Sequence, residues 1–61
     1  MRLYYFNASK AIAERKAIVV SEKRFETIQE KSIDGWADLW LCIEAENIVK
    51  AEDYVRRIWI H

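Results

Sequence analysis

The spacing of apolar residues changes several times along these 61 residues, and each change marks an element. The first run, RLYYFNA from Arg2 to Ala8, places Leu3 and Tyr5 on one side of an extended chain and Tyr4 and Phe6 on the other. It predicts a strand with two apolar faces. Residues 9–16 (SKAIAERK) mix alanines with charges and read as a loop or a short helical turn. Lys16 to Val20 (KAIVV) has the β-branched character of a buried strand. Ser21 then offers a helix N-cap with Glu22 in the first turn, and the helix should run to about Ser32. Its apolar stripe, Phe25, Ile28 and Ile33, is thin. Asp34-Gly35 supplies a turn.

The clearest alternation follows. Ala37, Leu39, Leu41, Ile43 and Ala45 fall on one side, and Trp36, Asp38, Trp40, Cys42 and Glu44 on the other, which predicts a strand. Asn47 can cap a last helix reaching about Ile58, with Ile48, Ala51, Val55 and Ile58 along one face. Glu52 with Arg56 and Asp53 with Arg57 form i,i+4 pairs, acids before bases. The closing RRIWIH could instead finish as a strand. The expected architecture is one small α+β domain spanning 1–61, with an antiparallel or mixed sheet of about three strands and two helices in the order β-β-α-β-α.

Two packings satisfy this pattern. Both helices can sit on the aliphatic face of the third strand, leaving the Trp36, Trp40 and Cys42 face open as an interaction patch. Alternatively the helices lie on opposite faces and the tryptophans are core. The thin helical stripes favour the first, which makes Trp36, Trp40, Cys42, Tyr4, Phe6 and Trp59 candidates for a protein interface.

Size strengthens that expectation. A 61-residue domain buries only about 60% of its unfolded surface, so it needs a staple, dense packing or a partner. One cysteine excludes an internal disulfide. Cys42 and His61 alone cannot make a zinc site, which takes four ligands, and no cofactor motif is present. Association is the remaining route, and a homodimer or larger oligomer packing sheet on sheet would enlarge the core.

Charge and chemistry narrow the functional classes. Ten basic and ten acidic residues cancel, which removes long-range attraction to phosphate backbones. The longest apolar run, Leu39 to Ile43, is far short of the roughly 20 residues that span a bilayer, and no export signal opens the sequence; a cytoplasmic protein without membrane contact is expected. Asn7-Ala8-Ser9 matches the glycosylation tripeptide but lacks the accompanying signal. Cys42 has apolar and acidic neighbours, which oppose a nucleophilic thiolate. Asp38 and Glu44 would stand roughly 20 Å apart on a strand, too far to act on one bond. An enzyme is not expected.

The function expected is a non-enzymatic protein-binding module, homo-oligomeric, that occupies the surface of a protein target. In size and layout the chain resembles the small phage proteins that inhibit host enzymes or defence nucleases, which implies a stand-alone inhibitor or regulator; no motif is shared. The alternative is a nucleic-acid-binding protein using Lys10, Arg15, Lys16, Lys23 and Arg24 beside Tyr4 or Tyr5 as stacking surface.

Overall fold

Asn7 ends the first strand by starting a helix. The computed structural model describes residues 1–31 and 38–60. Six elements follow in order: β1 (Arg2–Asn7), α1 (Ala8–Glu14), β2 (Val19–Ser21), α2 (Glu22–Lys31), β3 (Trp40–Ala45) and α3 (Ile48–Trp59). The protein is α+β. Its sheet has the order β2-β1-β3, with both pairings antiparallel.

Register sorts the side chains. Tyr4 lies opposite Ser21 and Ile43, and Phe6 opposite Val19 and Leu41, so these residues share a face that ends in Ala45. Leu3, Tyr5, Val20, Cys42 and Glu44 take the other face. α3 covers the first. Its Ala51 and Val55 are fully buried, Val55 in one cluster with Phe6, Ala8 and Ala11, and Ala51 in another with Tyr4 and Ala45. Four of the seven buried apolar residues named among those described are alanines, so backbones approach closely around only a few large side chains.

Local signals hold each helix. The Ser21 hydroxyl accepts from the Arg24 N–H at 3.2 Å, and the Asn47 side chain accepts from the Lys50 N–H at 2.9 Å, so both expected caps form. Glu52–Arg56 and Asp53–Arg57 pair at 3.4 and 2.7 Å on the exposed side of α3. α1 is capped by Asn7, whose Oδ1 accepts from the Lys10 N–H at 2.9 Å. It stops at Arg15, which takes the left-handed conformation at φ 55°.

The expected order therefore needs correction to β-α-β-α-β-α. Residues read as loop or helical turn form α1, because the Asn7 cap and the burial of Ala8 and Ala11 add to a modest helix propensity. β2 begins at Val19 rather than Lys16, since the chain uses Arg15 to Ile18 to leave the helix. The third strand begins at Trp40. Before it, Leu39 is held by the end of β1 and the start of α1, its carbonyl accepting from Ala8 N–H and its N–H donating to Ser9 Oγ, both at 2.8 Å. RRIWIH continues the helix as far as Trp59. Ile33, the Asp34-Gly35 turn, Trp36, Ala37 and His61 lie outside the described residues.

Two outcomes test this frame. Asn7→Ala should lower the unfolding free energy by about 2 kcal/mol, because a cap and a part-buried hydrogen bond go together. Asn7→Asp keeps the cap but sets a second carboxylate against Asp38, so its deficit should shrink as salt is added to the urea titration. Arg15→Gly, which relieves the left-handed penalty at an exposed position, should instead stabilise by about 1 kcal/mol and raise Tm in calorimetry.

Candidate protein-binding surface

The face turned away from α3 is only half covered. α2 crosses it and buries no side chain fully. Its Phe25 ring stacks on Tyr5 at 4.0 Å between centroids and 6° between planes, and meets Trp40 at 5.6 Å and 59°. These three aromatics make a small second core. Beyond it the face opens: Leu3 is 41% exposed, Glu44 lies across from it on the neighbouring strand, and Cys42, across from Tyr5, is exposed as well. Leu3, Cys42 and Glu44 thus lie on the part of this face that the Tyr5, Phe25 and Trp40 rings do not cover.

Electrostatics mark the same spot. Burial raises the Tyr5 phenol above its usual ionisation range, and the Cys42 thiol and the carboxylates of Glu22 and Glu26 push it the same way. A phenol is neutral at physiological pH without such a shift, which only moves its ionisation further away. No group of three His, Cys, Asp or Glu gathers among the described residues as a metal would require.

The structure divides the interface candidates. Trp40 and Cys42 share the half-covered face. Trp36 lies outside the described residues. Tyr4 and Phe6 are 5% and 1% exposed beneath α3, out of reach of a docking protein. Trp59 packs on Phe6 at 5.4 Å and belongs to the same core. The helices lie on opposite faces, so a second sheet could not be laid on the Trp40 face without displacing α2; the expected sheet-on-sheet dimer does not fit. Leu3, which the alternation puts on the Tyr5 side, joins this face although it was not among the interface candidates.

The basic residues divide between the end of α1 and the start of α2. Lys10 and Lys16 both pair with Glu14, at 3.0 and 3.3 Å. These cations hold the Glu14 carboxyl below its usual range, and Glu14 in turn raises Lys10. Arg15 sits at the exposed end of α1, whereas Lys23 and Arg24 belong to the first turns of α2 with Glu22 and Glu26. Asn7, the acceptor of the glycosylation tripeptide, is 3% exposed, and its amide nitrogen donates to Asp38 Oδ2 at 2.9 Å. A glycosyltransferase could not reach it in the folded chain.

No helix among the described residues is long and apolar enough to cross a membrane. The chain matches no family model, no curated protein and no solved structure.

Phe25 is the test of how the face is held. Phe25→Ala should cost about 2 kcal/mol in urea unfolding, less than the roughly 3–5 kcal/mol of a fully buried phenylalanine because this one is half-buried. Phe25→Leu should recover part of it, while the near-ultraviolet dichroism of the Tyr5–Trp40 cluster is lost in both.

Proposed function

We propose that the chain is a non-enzymatic protein-binding module, acting by covering a surface of a protein target as a small inhibitor or regulator does. One observation carries this reading: Leu3 and Cys42 are exposed on a face that α2 leaves half open, alongside the packed rings of Tyr5, Phe25 and Trp40, with the Glu44 carboxylate across from Leu3. A preordered aromatic platform loses little entropy when it docks, and exposed aliphatic surface beside it supplies the driving force. Charge neutrality and the pairing of Lys10 and Lys16 with Glu14 favour a protein target over a nucleic acid.

The experiment is a tagged chain crosslinked inside its native host, compared with two variants. Leu3→Glu should weaken retention of one defined protein at least about tenfold, the effect of losing a hot-spot contact, with the far-ultraviolet spectrum unchanged. Lys23→Glu, remote from the patch, should leave it intact. Recovery of nucleic acid with no protein, or equal retention by the Leu3→Glu chain, overturns the reading.

A further inference from the structure

β3 lies at the edge of the sheet, and its outer side is unprotected. The bond from Ala8 N–H to the Leu39 carbonyl sets the alternation along the β1–β3 pair: Leu41, Ile43 and Ala45 turn their backbone groups toward β1. The N–H and C=O groups of Trp40, Cys42 and Glu44 then point outward. Among the described residues no strand pairs with them. Edge strands that stay single are usually blunted by lysine, proline, a bulge or brevity. β3, WLCIEA, is six residues long with one charge and no proline. The opposite edge is blunt: β2 has three residues and runs directly into the charged start of α2.

A second unpartnered feature borders this edge. Tyr54 and Ile58 are 47% and 54% exposed and stand one turn apart on α3, beside the core-facing Ala51 and Val55. Tyr54 reaches over β3 and closes an open hollow with Cys42, Ile43 and Glu44. Two exposed apolar side chains of α3, bordered by Lys50, Asp53 and Arg57, therefore stand beside a bare strand edge.

We propose that a second copy of this chain binds here, β3 pairing antiparallel with β3 of the second copy about a twofold axis at Cys42. The strand is self-complementary in that register. Cys42 meets Cys42, Trp40 lies across from Glu44, and on the α3 side Leu41 lies across from Ile43, so apolar meets apolar on the core face. Both sheets keep the same face toward their α3 helices, and two three-stranded sheets become one.

Helix geometry agrees with the axis. Cys42 is three residues, or roughly 10 Å, from the end of β3, and the returning α3 covers the same length in about seven residues from Ile48, arriving near Val55. Tyr54 and Ile58 flank that point, so they face Ile58 and Tyr54 of the second copy. This selects the occupant. An extended peptide could satisfy the strand edge, but only a second α3 also covers the helix flank. A core built largely of alanines gains most from such an extension. The pairing goes beyond the target-binding reading and does not depend on it: it uses the backbone edge of β3 and the flank of α3, whereas Leu3 lies on the inner strand β1, and Trp40, Cys42 and Glu44 of β3 belong to both surfaces.

Light scattering on the wild-type chain should give twice the 7.3 kDa mass, falling to the monomer for the double variant Tyr54→Lys, Ile58→Lys with its helical spectrum unchanged. Amide exchange in the dimer should protect Cys42 and Glu44 as well as Ile43; in the variant only the inward amides stay slow. Across the axis the two Cys42 Cα atoms would stand about 5.5 Å apart, so dibromobimane, losing two bromides to the two thiolates, should join them into a covalent dimer. Leu3→Glu should still dimerise, which separates this proposal from target binding. A monomer at the highest soluble concentration overturns the proposal. So does a dimer that leaves the Cys42 and Glu44 amides fast-exchanging, or one that survives both the double variant and Cys42→Lys.

Discussion

The arrangement depends on the side chain of one buried residue, Asn7, at the corner where three elements meet. Its backbone N–H donates to the Ile18 carbonyl at 3.0 Å and so holds the approach to β2. Its Oδ1 starts α1, and its Nδ2 holds Asp38, two residues ahead of β3. A polar group at 3% exposure is tolerable only when its bonds are made, and no buried side-chain nitrogen or oxygen among the described residues lacks a partner. Both strands that flank β1 are thus tethered at the point where β1 itself ends.

What Asn7 positions is a core of modest volume. Phe6 and Val55 are the largest side chains that are wholly buried; the α1 alanines Ala8 and Ala11 pack with them, and Ala51 of α3 and Ala45 of β3 pack with Tyr4. Such packing trades side-chain volume for close backbone approach. It leaves much of the apolar content at the margins: Leu3 and Cys42 on one face, and Tyr54 and Ile58 along the helix flank. The aromatic cluster of Tyr5, Phe25 and Trp40 is the exception, a separate packed unit that ties α2 to the far side of the sheet.

Features governed by neighbours in sequence were legible before the structure. Ser21 and Asn47 announce their helices because a cap bonds three residues ahead, and the acid-base pairs of α3 follow from one helical turn. The two faces of β1 and β3 followed from alternation alone. α1 was hidden because Asn7 is both the last residue of a strand and a cap, and because Ala8 and Ala11 acquire their role only against Val55. The choice between the Tyr4–Phe6 face and the Leu3–Tyr5 face was also out of reach, since both are aromatic and only the position of α3 separates them. That is why Tyr4 and Phe6, which are core, read as interface residues alongside Trp59, which is partly buried and packs against that core.

The difference between the two sheet edges bears on how far assembly could go. β2 offers three residues before the chain turns into a charged helix, whereas β3 offers six nearly uncharged ones. Were both edges long and apolar, head-to-tail addition could continue without limit and the molecule would be a seed for fibres. With one short edge and one open edge, any pairing consumes the open side of each participant and leaves only short ends. The brevity of β2 thus acts as a stop, a property of the sheet that concerns solubility as much as recognition.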